Sequence, residues 1–336
     1  MQIACEETKD RAKGCLFGQL AGDSLGSLVE FKNASKIAKL YPEGVRDLKD
    51  GGTFNLIAGQ PTDDSEMALA LARTIVQYGT FDPDRVAEAY IRWWMSAPFD
   101  IGFTTKSAII ALSNGKRAVS GSQANGALMR VSPIGVFAAG TPAEAATAGA
   151  LDAALTHPHP VCQSASAAFA AAISVGVAGA DAEAMWQTAN EYADHHPESE
   201  PGAAAVRERL DLARTNPPPE FFDQMGWVLT AFQNAFFHLL SGITFEEAVV
   251  STVGNGGDTD TNAAICGALL GAAQGQSAVP RRWIDKIEDC RPSGREAVVH
   301  PRPQEYWPTD AAELAEALLS VRLREKSRGQ HRQRLP

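Results

Sequence analysis

Cysteine is scarce in this sequence, and no two cysteines lie close together. The five are Cys5, Cys15, Cys162, Cys266 and Cys290, an odd number without a CxxC pair. This pattern argues against a disulfide framework, and no Cys/His spacing indicates zinc. The first ten residues also lack the apolar run of a signal peptide, so we expect a protein of the reducing cytoplasm.

Long apolar runs and an excess of basic residues are missing too. The run closest to a membrane span is 161–180, but Gln163, Ser164, Ser166 and Ser174 dilute it, so we predict a buried central helix and no membrane contact. The formal net charge is −10 and the pI is near 5.2. Such a charge discourages binding to nucleic acid or to an acidic membrane.

No Pro/Gly-rich linker divides the chain, and alternating β-branched runs are scarce. At 336 residues with 45% apolar content, the chain can bury one large core. Segments such as 85–94 and 226–237 repeat apolar residues near the helical period. We therefore predict a compact all-α single domain over residues 1–320. Residues 321–336 are rich in arginine, and we predict a basic, disordered tail there, with a partner or nucleic-acid contact as the alternative.

Two short acidic clusters lie almost two hundred residues apart, each at a predicted helix start. Thr62-Asp63-Asp64 follows a proline, and Asp258-Thr259-Asp260-Thr261 follows two glycines; both lead into apolar helices. Together they offer carboxylate and hydroxyl oxygens, which suit Mg²⁺, Mn²⁺ or Ca²⁺ rather than zinc. The alternative is that these residues only cap their helices.

Small residues recur every fourth position in two segments. Gly14, Gly18, Gly22 and Gly26 form one stripe, and Ala263, Gly267, Gly271 and Gly275 form the other. Glycine inside a helix costs up to about 1 kcal/mol per residue, so such stripes predict closely packed helices.

The sequence resembles the ADP-ribosylglycohydrolase family through six motifs, which occur in the family's order between about residues 12 and 275. The motifs lie at 18–26 with Glu30, 62–65, 100–105, 125–130, 156–160 and 256–261. The resemblance implies an orthogonal bundle of many helices around a central cleft that holds two Mg²⁺ or Mn²⁺ ions. The metal ligands that it implies are Thr62, Asp63, Asp64, Asp258, Asp260 and Thr261.

The resemblance also implies roles around the ions. Glu30 matches a glutamate that can contact the metals or swing away, and Asp100 matches an acid near the distal ribose. The segment Asn125-Gly126-Ala127 and His157 match residues that line the ADP-ribose cleft. Phe103 departs from the pattern, because we expect a polar residue there, and this puts one substrate contact in doubt.

Cleavage of a glycosidic bond at ribose C1″ needs a positioned water and a carboxylate that takes its proton. We predict Glu30 or Asp63 for that carboxylate, with Asp100 as the alternative acid or base. The predicted function is removal of ADP-ribose from a modified protein side chain such as arginine, or from another acceptor. The predicted partner, besides the modified acceptor, is a cognate ADP-ribosyltransferase that catalyses the opposite reaction. The alternatives are a dinuclear-metal nucleotide phosphohydrolase and a silent or immunity-type binding protein.

Overall fold

The computed structural model describes residues 5–197, 200–294 and 298–332, with side chains up to residue 322. Helices account for most of this part of the chain. The α-helices are α1 (Glu6–Gly26), α2 (Ala34–Leu40), α3 (Asp63–Tyr78), α4 (Pro83–Met95), α5 (Phe103–Ser113), α6 (Ser132–Phe137), α7 (Pro142–Thr156), α8 (Pro160–Val177), α9 (Ala182–Tyr192), α10 (Glu200–Ala213), α11 (Val228–Ser241), α12 (Phe245–Gly254), α13 (Thr259–Gln274), α14 (Arg281–Asp289) and α15 (Ala311–Arg332).

The remaining regular structure consists of three 3₁₀ helices, at Asn125–Arg130, Gln276–Ala278 and Gln304–Tyr306. The described residues contain no β-strand, only isolated bridges such as that between Asn33 and Gly256. The prediction of an all-α fold is therefore confirmed.

Helices α1 and α13 are antiparallel and pack backbone to backbone. A Cβ atom added at Gly18 would lie less than 3.0 Å from Gly267, and one at Gly22 would lie equally close to Ala263. The same holds for Gly14 against Gly271, so successive pairs run in opposite directions along the two helices. The predicted close packing is confirmed, and it places the end of α1 beside the start of α13.

Helix α8 is the central apolar helix that the sequence predicts. It is long and apolar enough to cross a membrane by composition alone, but 89% of its 18-residue window is buried inside the protein. It packs against α6, α7, α9 and α10, and its alanine face meets α7 through Ala146, Ala150, Ala167 and Ala171. The prediction of a buried central helix is confirmed.

Helix α15 continues past the predicted domain end at residue 320 and reaches Arg332. It packs on α1, α3 and α6. Arg322 is buried and forms an ion pair with Glu144 at the start of α7. The side chains after Arg322 and residues 333–336 lie outside the described part, so the basic, disordered tail stays a prediction.

Candidate active site

The second acidic cluster begins at a glycine turn between α12 and α13. Gly256 and Gly257 both have left-handed φ angles, of 79° and 77°, which glycine adopts without steric cost. The hydroxyl of Thr259 donates to the carbonyl of Gly26 at 2.7 Å and joins the start of α13 to the end of α1. Asp258 stands at the N-cap position but its side chain caps nothing. This finding argues against the capping alternative for the second cluster.

The first cluster is capped by an acid from another helix. Both carboxylate oxygens of Asp23, on α1, accept from the backbone N–H of Thr62, at 3.2 Å each. Asp23 also accepts from the Thr62 hydroxyl at 2.9 Å and from the Ser65 N–H at 3.1 Å. Asp23 thus takes the role of a capping side chain at the start of α3, so the carboxylates of Asp63 and Asp64 are not needed as caps.

Glu30 lies in the turn that follows α1, and that turn is bound to the glycine turn before α13. The N–H of Phe31 donates to the carbonyl of Gly257, and the N–H of Gly257 donates to the carbonyl of Lys32, at 2.9 Å each. Glu30 is therefore held beside Asp258 and Asp260 by backbone hydrogen bonds.

Asp100 lies in the segment between α4 and α5, which a buried ion pair fastens to α3. The guanidinium of Arg302 donates to both oxygens of Glu66, at 2.7 and 2.8 Å, and to the carbonyl of Ser96 at 2.9 Å. The indole N–H of Trp93 donates to Glu66 at 2.7 Å. These bonds fix the segment that carries Asp100 against the helix that carries Asp63 and Asp64.

The 3₁₀ helix Asn125–Arg130 forms another wall of the site. The Asn125 side-chain amide donates to the carboxylate of Asp258 at 2.7 Å. Arg130, the last residue of this 3₁₀ helix, is fully buried and pairs with Asp152 at 3.0 Å. It also donates to the carbonyl of Gly126 at 3.0 Å, so it supports this wall from behind.

His157 follows α7 and packs against Gly126. A Cβ atom at Gly126 would lie only 2.9 Å from the imidazole of His157, so no larger residue fits there without movement. Burial, with the nearby charge of Arg130, lowers the pKa of His157 to about 3. The imidazole is therefore neutral at pH 7 and adds no positive charge to the site.

These segments enclose a cavity of about 330 Å³. Most of the predicted site residues line it, namely Glu30, Asp63, Asp100, Phe103, Asn125, Gly126, His157, Asp258, Asp260 and Thr261. Thr62, Asp64 and Ala127 are buried behind this lining, with at most 1% of their surface exposed. Asp64 accepts from the hydroxyls of Thr62 and Thr261, at 3.2 and 3.3 Å, so it joins the two acidic clusters.

The structure thus gathers seven carboxylates, from Asp23, Glu30, Asp63, Asp64, Asp100, Asp258 and Asp260. Burial, together with Asp100 and Asp258, raises the pKa of Glu30 to about 9. Burial raises the pKa of Asp23 to about 7 and that of Asp100 to about 6. Burial and neighbouring carboxylates also raise the pKa of Asp260 well above its usual value.

Cations fit this arrangement. Within the described residues, none of the seven carboxylates is in an ion pair with lysine or arginine. Glu30 Oε2 and Asp64 Oδ1 are buried and have no hydrogen-bond partner in the part of the chain that the structure describes. Ligand oxygens within 4.8 Å of one another come from two groups, Asp23 with Asp64 and Asp260, and Glu30 with Asp100 and Asp260. These groups could hold metal ions, because buried charges require pairing or coordination.

Asp23 is the residue that the sequence-based site left out. It belongs to the motif at 18–26, but its position inside a helix of small residues did not indicate a role for its carboxylate. An acid that is fully buried in such a helix is itself a signal, because an unpaired carboxylate rarely lies in a core. Met225 and Thr105 also line the cavity without having been predicted.

The helical fold holds a buried cluster of carboxylates that could bind metal ions, and comparisons with known proteins show the class of protein to which this arrangement belongs. A sequence model described as ADP-ribosylglycohydrolase matches residues 4–327. The ADP-ribosyl-[dinitrogen reductase] glycohydrolase of Rhodospirillum rubrum is 30% identical over 83% of this chain and 90% of that protein. The ADP-ribosylarginine hydrolase Tri1 of Pseudomonas putida is 28% identical over 84% of this chain and 75% of that protein.

A solved structure, an ADP-ribosylglycohydrolase-related protein complex, resembles the fold with a TM-score of 0.75. It is 28% identical and covers 95% of this chain and all of its own. The chain belongs to the ADP-ribosylglycohydrolase family and is an enzyme that hydrolyses the glycosidic bond between ADP-ribose and a modified acceptor. The phosphohydrolase and the silent binding protein are not favoured by these similarities.

Proposed function

We propose that the enzyme removes ADP-ribose from arginine side chains of a modified protein, with two Mg²⁺ or Mn²⁺ ions, in the cytoplasm. The observation that carries this proposal is the cluster of seven carboxylates, five of which line one cavity, without a basic partner among the described residues. Two of the similar proteins reported above are named for dinitrogen reductase and for arginine as acceptors. A cognate ADP-ribosyltransferase would supply the substrate.

The ion-binding residues of the proposal are the two acidic clusters. They are Thr62, Asp63, Asp64, Asp258, Asp260 and Thr261. When bound, divalent ions there would polarise a water and orient ribose hydroxyls. In the proposed hydrolysis a water oxygen bonds to C1″ as the bond from C1″ to the acceptor nitrogen breaks. A carboxylate takes one proton of the water, the other proton stays on the new C1″ hydroxyl, and the acceptor nitrogen gains a proton.

Three acids are proposed for the proton transfers. Glu30 is the first candidate for the base, because its Oε2 is buried without a partner at the cavity wall. Asp63, at the start of α3, is the second candidate. Asp100 faces the same cavity and is proposed as the alternative acid or base, or as the partner of a cationic leaving group. Asn125, Gly126, Ala127 and His157 are proposed to position ADP-ribose.

The proposal is tested with a peptide that carries ADP-ribosylarginine, incubated with Mg²⁺, with Mn²⁺ or with a chelator. We expect free ADP-ribose only when metal is present. Asp258→Ala and Asp64→Ala should reduce turnover to background and abolish the rise in melting temperature that metal causes, because each removes an oxygen donor from the cluster. Asp285→Ala removes an exposed acid of α14 and should leave both unchanged.

The products separate the proposed function from its alternatives. Inorganic phosphate or AMP would indicate a phosphohydrolase, and tight binding without a product would indicate a silent relative. Turnover that persists in Asp258→Ala or Asp64→Ala would contradict the assignment of the clusters.

A further inference from the structure

Two phenylalanine rings stand exposed at the cavity that holds the carboxylates. Phe103, the first residue of α5, is 85% exposed, and Phe31, next to Glu30, is 53% exposed. Both line the cavity. A single exposed ring is ordinary on a protein surface, but two rings at the wall of one acidic cavity are an arrangement that a ligand would use.

The backbone at Phe31 supports a positional role for its ring. Phe31 has a φ of 62°, in the left-handed region, which is strained for a bulky residue and persists only if its surroundings hold it. The hydrogen bonds from Phe31 to Gly257 and from Gly257 to Lys32, at 2.9 Å each, supply that hold. These hydrogen bonds therefore fix the backbone from which the exposed ring projects, next to Glu30 in the chain.

The two phenylalanine rings and the nearby carboxylates favour a guanidinium group as the acceptor. A guanidinium is planar, delocalised and weakly hydrated, so it stacks on aromatic faces and gains cation–π attraction. The carboxylates that line the same cavity attract a cation and repel a nucleic-acid backbone. A serine hydroxyl is small and neutral and gains little from either feature.

We propose that Phe31 and Phe103 form the acceptor subsite and select an ADP-ribosylated guanidinium over an ADP-ribosylated hydroxyl. This proposal rests on the proposed function, because it assigns a binding site to the acceptor, which is the leaving group of that reaction. It also gives the unexpected phenylalanine at position 103 a role, since an exposed ring there contacts the acceptor and not the buried oxygen donors.

The test compares kcat/KM of the wild-type enzyme and its variants on two peptides, one ADP-ribosylated on arginine and one on serine. We expect Phe103→Ala and Phe103→Leu each to lower kcat/KM about tenfold on the arginine peptide and less than twofold on the serine peptide. Phe103→Tyr keeps an aromatic face and should stay within twofold of wild type. Phe31→Ala should show the same selective loss.

Free ADP-ribose lacks the acceptor, so its affinity as a product inhibitor should not change in any of these variants. Phe222→Ala removes another exposed phenylalanine that does not line the cavity and is the matched control. Equal losses on both peptides, full activity of Phe103→Leu on arginine, or a wild-type preference for serine would each overturn the acceptor subsite. A wild-type enzyme that releases ADP-ribose from neither peptide would overturn the proposed function instead.

Discussion

Asn125 is a residue whose contacts point to a different role from the one its motif implies. The resemblance predicts that it lines the ADP-ribose cleft, and it does line the cavity. Its side-chain amide, however, donates to Asp258 at 2.7 Å, and its own N–H donates to Gly226 at 2.9 Å. Since a hydrogen bond to a carboxylate sets its orientation, Asn125 should determine how Asp258 presents its oxygens.

We therefore predict that Asn125→Ala weakens Mn²⁺ binding by about 10- to 100-fold, the usual effect of losing a partner of a metal ligand. Titration calorimetry on the metal-free protein measures this affinity. Asn114→Ala removes an amide that hydrogen-bonds at the end of α5 and does not line the cavity, so it should bind Mn²⁺ normally. A raised KM with unchanged Mn²⁺ affinity would show that Asn125 serves the substrate alone.

The position of a residue at the cavity was predictable where it stands in a motif at a helix start, as Asp63 and Asp260 do. Asp23 was not, although it lies in the first motif. Its carboxylate accepts hydrogen bonds from Thr62 and Ser65, which lie on another helix. That partnership depends on the tertiary fold, and the sequence spacing of an acid within its own helix carries no information about it.

At the scale of the helices, the small-residue stripes were the most informative pattern in the sequence. They predict close packing, which α1 and α13 show. They do not say that the two helices are antiparallel, because a stripe has the same spacing in both directions. The direction decides that Gly26 lies beside Thr259, and hence that the end of α1 meets the second acidic cluster.

We predict that Gly18→Ala destabilises the protein by about 3 kcal/mol, because the new methyl group overlaps the Gly267 carbonyl and the helices must separate. Urea unfolding of the metal-free protein measures the change in the free energy of unfolding. The same separation moves α1 away from α13 and should weaken Mn²⁺ binding. Gly254→Ala, at an open position at the end of α12, should change stability by less than about 1 kcal/mol. Equal stability of Gly18→Ala and wild type would contradict the packing.

The contacts that hold the segment carrying Asp100 against α3 could not be predicted from the sequence. Arg302 pairs with Glu66, which is 236 positions away in the chain, and holds the carbonyl of Ser96. Neither residue belongs to a motif, and a charged pair in a sequence usually forms an exposed contact. This pair is almost fully buried, so removal of one partner alone would leave an uncompensated charge.

For the molecule as a whole, the site is a concentration of negative charge inside a chain whose net charge is already −10. Burial, together with the neighbouring carboxylates, raises the pKa of Asp260 and Asp64, which means that their ionised forms destabilise the metal-free fold. Bound cations reverse this effect, since a ligand that binds only the folded state stabilises it by about 2.7 kcal/mol at a hundred times its dissociation constant. At these residues, the same negative charge that would bind the cations lowers the stability of the metal-free protein.

Asp260 is the best position to measure this opposition, because it belongs to both groups of clustered oxygens. We predict that Asp260→Asn raises the free energy of unfolding of the metal-free protein, because burial and the neighbouring carboxylates disfavour the ionised form of Asp260 and the amide carries no charge. The same variant should lose most of the stabilisation that Mn²⁺ gives to the wild type. Thermal unfolding with chelator and with Mn²⁺ measures both effects, and Asp285→Asn, an exposed acid paired with Arg281, should show neither. A metal-free Asp260→Asn protein that is less stable than the wild type would contradict this prediction. It would mean that the hydrogen bonds of Asp260 stabilise the fold more than its buried charge destabilises it.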